Sequence, residues 1–509
     1  MQKYNTRLLL LLIFVLAIIL RFLFFPSNLY FGYDQARDAF AAKDILSGDL
    51  KIVGPSTSVT GLYHGALYYY LITPFYLIGG GNPEVVSAAL RILNATGIFI
   101  VFLIGFLVFN RSVGLLAALL FALSFEQTQF AIYLSNPALA SLSIPIMFLG
   151  FALVIFKNKD YGLPLAFLGL GLSIQFEFAL FYLIVPFIIC LVVFYKHFLK
   201  IQLKIWLITV AVFTGSIFTF LLAEIRYSYR TFHTLLNFSN LESNVDLAGK
   251  VKSYLYTINK MGEFNLYNNF YFRELFWILI AGFLFYLIWK KNQLQKLLFM
   301  CIWFFSLIFI YLLKGGYSDL YYTNIGISSS LIIYVSFLVY RLYRFKKVSA
   351  YLLMGIIAIA NLNMIFKFNP NGTISQIHVQ QGMLLSDQKK IMDKIYQDAN
   401  GEPFAVKALT MPLNINTTWS YLFEWYGIQK YGYLPIWNGY NAAGYPGNIQ
   451  VIEIQEKLPE TRYLIIEPLR GIPNHLIDSF IREEGYFTNV ISEENIGKFV
   501  LQKRKHYVN

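Results

Sequence analysis

Apolar runs of about 18 to 25 residues recur from Leu8 to Phe366, each long enough to cross a hydrocarbon core of about 30 Å. Nothing else in the chain constrains its fold so strongly, because a segment inside lipid must satisfy every backbone polar group internally and so becomes a helix. The composition agrees: 57% hydrophobic, 18% aromatic and only 14% charged residues describe an α-helical polytopic membrane protein rather than a large soluble core. A net charge of +13 would suit a nucleic-acid partner, yet the lysines and arginines lie in short clusters between apolar runs, as in cytoplasmic loops. Nucleic-acid binding is therefore not expected. Cys190 and Cys301 sit within apolar runs and read as small buried hydrophobes, not as a disulfide or metal site. Met1 to Phe25 has the basic start and apolar run of a signal peptide without a small-residue cleavage site, and reads as a retained first helix.

Positive charge orients the spans. Lys3 and Arg7 precede Leu8 to Phe25, which puts the amino terminus in the cytoplasm and the following loop outside. Basic clusters at Arg111, Lys157 and Lys159, Lys196 to Lys204, Lys290 to Lys296 and Arg341 to Lys347 then belong inside. Ala66 to Ile78 is apolar but only about 20 Å long as a helix, and counting it as a span would move Arg111 outside. It is read as a juxtamembrane helix in the first outer loop, with Tyr68, Tyr69, Tyr70 and Tyr76 suited to the lipid interface. Spans follow at Val85 to Phe109, Val113 to Phe130 and Pro137 to Phe156, and two short ones between Lys159 and Lys196 meet outside at Glu177. Ile205 to Ala223, Glu274 to Trp289, Leu297 to Leu313, Tyr322 to Tyr340 and Val348 to Phe366 complete about eleven spans. An odd number sends everything after Phe366 outside.

At Lys367 the composition turns polar. Asp387 to Ala399 predicts an amphipathic helix stopped by Asn400-Gly401, followed by a strand over Phe404 to Thr410. Strands at Tyr463 to Glu467 and Phe499 to Gln502, with a helix over Pro473 to Glu484 between them, predict a small extracytoplasmic α/β domain spanning residues 367–509 beside a transmembrane domain spanning 1–366.

Function is expected in the long loop after the first span. Asp34 to Leu46 has helical spacing, with Ala39, Ala42 and Leu46 on one side, Asp34 and Asp38 four apart on another, and Gly48 as a C-terminal stop. Spacing alone suits a helix cap or a solvated face as well as a catalytic carboxylate. The loop continues to Tyr63-His64-Gly65, and a carboxylate with a nearby cation or imidazole is the equipment for deprotonating a hydroxyl beside a phosphate leaving group.

The order of an apolar first helix, "YDQARDAF", "YHGALYYYL" and "LRILNATGIFIVFLIGFLVFNRSVGLLAALLFALS" resembles the membrane glycosyltransferases of the GT-C class, nearest the branch of protein mannosyltransferase-like, aminoarabinose-transferase-like and Rgt-like enzymes. The resemblance lies mostly in the first half of the membrane region. It implies an enzyme that moves a sugar from a polyprenyl-phosphate donor to an acceptor hydroxyl at the outer face, with inversion. Asp34 matches the class's first-loop acid and would be the general base; Gln35 stands where relatives often carry a second acid, which leaves Asp38 as the second catalytic candidate. His64 falls where relatives have a basic residue before two prolines, absent here, and would contact the donor phosphate, although an interfacial histidine held by loop carbonyls fits as well.

Glu126 lies where relatives carry a second polar or acidic site, and Glu224 with Arg226 resembles the branch's acidic-x-Arg motif. Arg226 could hold a phosphate in its guanidinium fork or snorkel to lipid headgroups. Glu177 reads as a solvated helix tip. No His/Cys/carboxylate cluster has metal spacing, although Asp34 with Asp38 or Glu126 has the charge for a divalent cation, which some relatives use. Expected partners are the polyprenyl-phosphate sugar, a lipid, glycan or protein acceptor, and membrane lipid. The rival reading is a transporter or lipid-linked glycan flippase, which would bring internal repeats and interrupted central helices, and neither is evident.

Overall fold

The computed structural model describes residues 5–506 apart from 58, 60, 239–245, most of 269–292, 313–320, 375–379, 440–443 and 470. The chain starts with α1, Thr6–Phe22, whose first turn is capped by Asn5 accepting the Arg7 N–H at 3.0 Å. The loop after α1 carries α2, Tyr33–Leu46, and α3, Leu67–Ile78. Next come α4, Pro83–Ala95, and α5, Gly97–Val108, which form one apolar stretch; α6, Arg111–Leu123, bent by 55° against α7, Phe125–Ile132; and α8, Ala140–Lys157. A 15-residue α9, Gly162–Phe176, ends at Glu177, and a 3-10 turn leads into α10, Ile184–Val193. Beyond these lie Leu203–Ser216 bent by 61° against Phe218–Arg226, then Leu294–Phe304, Ser328–Phe345 and Lys347–Phe368.

Helices thus occupy the apolar runs read from the sequence, but eleven crossings are not confirmed. Among the described residues four helices are long and apolar enough to cross a membrane, or six if each bent pair is one span. Part of the difference is length, since a 15-residue helix such as α9 reaches only about 22 Å, and part is polarity, since Ser328–Phe345 has the length but carries four serines and two arginines. The expected span Glu274 to Trp289 lies mostly outside the described residues. Close approach of α5 to α6 and of α8 to α9 depends on glycines: a Cβ on Gly105 would come within 3.0 Å of the Gly114 Cα, and one on Gly150 within 2.3 Å of the Ala166 nitrogen.

Two buried arginines fasten the end of α1 that leads into α2. Arg21 donates to the Asn94 Oδ1 at 2.7 Å, while Arg91 donates to the Arg21 carbonyl at 2.6 Å and to the Asn28 Oδ1 at 2.9 Å. Amide and carbonyl oxygens meet these guanidinium groups in place of carboxylates, the Arg21 Nη2 alone lacking a partner among the described residues, and the network ties α1 to α4 on either side of the loop that carries α2.

The carboxyl-terminal part holds a six-stranded sheet in the order β3-β2-β1-β4-β6-β5: β1 Ala405–Leu409, β2 Ile436–Asn438, β3 Val451–Ile452, β4 Thr461–Ile466, β5 Thr488–Ile496 and β6 Phe499–His506. The first four are parallel and β6 is antiparallel to both β4 and β5. Central β1 and β4 are mostly apolar because both faces are covered, whereas β5 is an edge strand with a polar, exposed sequence. The expected helices appear as Leu385–Ala399, ended by Asn400 in the left-handed region, and Asn474–Phe487. Strands β2, β3 and β5 were not expected; the first two are only three and two residues long, and the third is too polar to show a strand pattern.

This part does not stand apart. The Phe31 N–H donates to the Met383 carbonyl at 2.8 Å, the Leu385 N–H to the Leu29 carbonyl at 2.9 Å, and the Gln388 Nε2 to the Phe31 carbonyl at 2.8 Å. Ion pairs Lys389–Glu84 at 2.6 Å and Lys43–Glu424 at 2.9 Å add to the seam. Three of the four α3 tyrosines, Tyr68, Tyr69 and Tyr76, are buried in protein, which corrects their expected place at the lipid interface. Tyr76, Phe31 and Phe40 all surround Tyr421, so these rings pack between the loop that carries α2 and α3 and the α/β part.

Candidate active site

The α2 helix begins at a Gly32 N-cap whose N–H donates to the Gln35 Oε1 at 3.1 Å, while the Gln35 Nε2 donates to the Leu134 carbonyl at 2.7 Å. Gln35, which stands where a second acid was expected, thereby aligns the start of α2 with the end of α7. Asp34, Arg37 and Asp38 follow at helix spacings that bring side chains onto one face. Arg37 joins both acids: its Nη1 lies 2.7 Å from the Asp34 Oδ1, and its Nη2 and Nε lie 2.8 and 3.0 Å from the Asp38 Oδ1.

Burial separates the two carboxylates. The Asp34 side chain is 39% exposed, whereas that of Asp38 is 2% exposed and its Oδ2 has no hydrogen-bond partner among the described residues. Burial pushes the Asp38 carboxyl up to about 6, with Arg37 pulling it down and the Asp34 charge pushing it up. Burial also works against the Arg37 charge, but Asp38 and Asp34 more than offset it and hold the guanidinium well above its ordinary value. Tyr33 stacks its ring 5.7 Å from the Arg37 Cζ and meets Tyr445 of the α/β part at 6.0 Å. The open group is thus Asp34, in the first turn of α2, where the helix dipole favours an anion.

A cavity of about 200 Å³ lies beside this triad, lined by Tyr63, His64, Glu224, Tyr227, Arg230 and Thr231 among others. The charges of Arg37 and Asp34 both act on His64. The loop that presents it is held tightly: the Gly54 N–H donates to the His64 carbonyl at 3.2 Å, the His64 N–H to the Pro55 carbonyl at 2.8 Å, and the Gly65 N–H to the Gln175 carbonyl at 2.9 Å. A Cβ on Gly65 would run into the Gln175 side chain at 1.7 Å, so only glycine lets the loop sit on the end of α9.

The other candidates are distributed differently from the expectation. Arg226 is exposed at the end of its helix, and the guanidinium at the cavity belongs to Arg230, 5.7 Å from the centre of the Tyr63 ring. Two left-handed residues, Ser228 and Tyr229, turn the chain between them, a bend that no glycine announces. Glu224 lines the cavity while accepting the Thr231 and Phe232 N–H groups at 3.1 and 3.3 Å, which caps the helix Arg230–Phe238. Glu126 is fully buried and gathers Tyr321 at 2.5 Å, Gln127 at 3.2 Å and Ser328; the structure brings it together with these groups and not with Asp34. Glu177 is 3% exposed, which corrects its reading as a solvated tip, because the Ala179 N–H and the His64 ring enclose it.

Among the described residues no three His, Cys, Asp or Glu side chains converge on a metal position. Sequence reasoning missed Arg37 and Arg230. The first was legible from its i+3 spacing to Asp34; the second carried no local signal.

No protein-family model matches the chain, and no curated protein matches it in sequence. Its fold does have counterparts. The crystal structure of ArnT from Cupriavidus metallidurans bound to undecaprenyl phosphate superposes with a TM-score of 0.64 at 11% identity, covering 98% of both chains. The same protein in the apo state gives 0.62 at 11% identity over 97% of both. A looser likeness, with a TM-score of 0.49 and 14% identity over 82% of this chain and 63% of the other, is to the Archaeoglobus fulgidus oligosaccharyltransferase tethered with an acceptor peptide. These neighbours are GT-C glycosyltransferases, and this chain has the fold of ArnT along nearly its whole length.

Proposed function

We propose that the protein transfers a sugar from a polyprenyl-phosphate-linked donor to an acceptor hydroxyl at the outer membrane face, inverting the anomeric carbon, with Asp34 as the general base. The observation that carries this reading is the Asp34–Arg37–Asp38 arrangement: one guanidinium holds two carboxylates, and only Asp34 is open to a substrate. Asp38 acts through Arg37, fixing the fork that in turn orients Asp34. Arg230 lines the His64 cavity and the Arg37 charge reaches the His64 ring, positive charge suited to a phosphate that gains charge as the glycosidic bond breaks. The fold supports the reading, since ArnT with undecaprenyl phosphate is built in the same way.

In this arrangement residues 1–366 form the membrane domain, with the amino terminus in the cytoplasm, and residues 367–509 form an outer domain docked on the loop that holds α2. The acceptor is a lipid, glycan or protein hydroxyl approaching Asp34 beneath that domain. Purified protein incubated with a panel of radiolabelled polyprenyl-phosphate hexoses and pentoses, with release of the free polyprenyl phosphate as the readout, tests the proposal. Turnover of at least one donor that depends on Asp34 is expected. Transbilayer movement of the lipid without cleavage would point to a flippase instead.

A further inference from the structure

His64 has an unusual partner. Its Nδ1 accepts the backbone N–H of Phe178 at 3.0 Å, a residue 114 positions away. The bond exists because α9 stops at Glu177, which is extended at φ −145° and ψ 108°, so that the 3-10 helix beginning at Phe178 starts with an N–H that no earlier carbonyl can take. The imidazole fills that vacancy. Proton placement follows from the geometry: a proton on Nδ1 would face the Phe178 N–H donor to donor, so the ring carries its hydrogen on Nε2. Among the described residues none hydrogen-bonds Nε2, and the ring forms part of the wall of the cavity that Glu224 and Arg230 also line.

We infer that His64 serves the carrier-lipid phosphate as a neutral imidazole, donating from Nε2–H into the cavity, with its tautomer fixed by the Phe178 backbone N–H. This rests on the donor-binding reading given above and gives His64 the role of an oriented neutral donor. The surroundings are consistent with it. Burial holds the imidazole down at about 3, with Arg37 lowering it further and Asp34 opposing. Glu177, 3.6 Å from Nδ1, would favour a charged ring, but burial pushes its carboxyl up to about 8 against the pull of the Ala179 N–H, so it is mainly protonated at neutral pH. Glu224 and Arg230, of opposite charge, line the same cavity as the ring, with the phenols of Tyr63 and Tyr227. A neutral donor has an advantage here: it binds phosphate without becoming an acid that would protonate Asp34.

The test separates donation from capping. In His64→Asn the amide oxygen reaches the Nδ1 position and retains the Phe178 bond, but nothing reaches the Nε2 position. Nanodisc-embedded variant is expected to keep wild-type thermal stability and to bind undecaprenyl phosphate at least about tenfold more weakly, with His64→Gln recovering part of the loss. Unchanged affinity in His64→Asn would reduce the residue to a cap and overturn the inference. Nitrogen-15 spectra of ring-labelled histidine, with the His64 signal assigned by its loss in the Asn variant, should show the Nε2–H tautomer from pH 6 to 8 without any lipid. An imidazolium signal at pH 6 overturns the neutral-donor role while leaving the donor reading intact; the expected tautomer in a protein that binds no undecaprenyl phosphate overturns both.

Discussion

Asp34→Asn separates chemistry from architecture. Asp34 does not provide the N-cap of α2, a position held by Gly32 with Gln35, so the substitution leaves the helix start in place. What it removes is one charged partner of Arg37, at 2.7 Å on a side chain 39% exposed, together with an anion in the first helical turn. A partly solvated ion pair is worth about 0 to 1 kcal/mol and the dipole term about 0.3 to 1 kcal/mol, and the Asn oxygen still accepts from Arg37. The structural cost is therefore about 1 kcal/mol, enough for less than a tenfold change in any equilibrium. Loss of a general base costs about 10²- to 10⁴-fold in rate, or about 2.7 to 5.4 kcal/mol of barrier. The two effects do not overlap in size. Initial rates of sugar transfer, measured with undecaprenyl phosphate binding and thermal unfolding of the same preparation, are expected to show a drop of at least about a hundredfold with binding and stability nearly unchanged. Turnover within about threefold of wild type would refute Asp34 as the base and move attention to Asp38.

The Asp38 carboxyl, raised from 3.8 to about 6, makes a second prediction. The folded state holds this proton more tightly than the unfolded one, so the contribution is full below about pH 4 and is lost as pH rises through 6, about 3 kcal/mol in all. Asp38→Asn should remove that part of the fall, so the difference in melting temperature between variant and wild type should change across pH 4 to 6.5; a constant difference would contradict the assigned burial. At the cavity, Arg230→Ala should weaken undecaprenyl phosphate binding by about tenfold or more while Arg226→Ala changes it little, as read by equilibrium binding in nanodiscs, and the reverse order would restore Arg226 as the phosphate contact. Gly65→Ala should destabilise the protein by about 1 to 3 kcal/mol, since the added methyl must displace Gln175, which is also tied to Thr219. Protease sensitivity of the first outer loop would report it, and a wild-type digestion pattern would count against the close packing.

Much of the architecture is legible without coordinates. Apolar length locates the helices, and the i, i+3, i+4 spacing of Asp34, Arg37 and Asp38 suffices to put three charges on one helical face, because such relations repeat every turn and need no partner from elsewhere in the chain. The helix Leu385–Ala399 and its Asn400-Gly401 stop follow from equally local chemistry. Tertiary packing decided the rest. Which carboxylate is open and which is buried depends on what covers α2, and that cover comes partly from residues more than three hundred positions downstream. The tyrosines of α3 face protein because the α/β part docks on them, whereas their sequence suits a lipid interface equally well. His64 accepts the N–H of Phe178 from far along the chain, and the cavity has Arg230 in place of Arg226 because two non-glycine residues adopt a left-handed turn. Hydrophobic length and helical period are written residue by residue; burial, protonation and the meeting of distant groups are properties of the packed chain, which no local window contains.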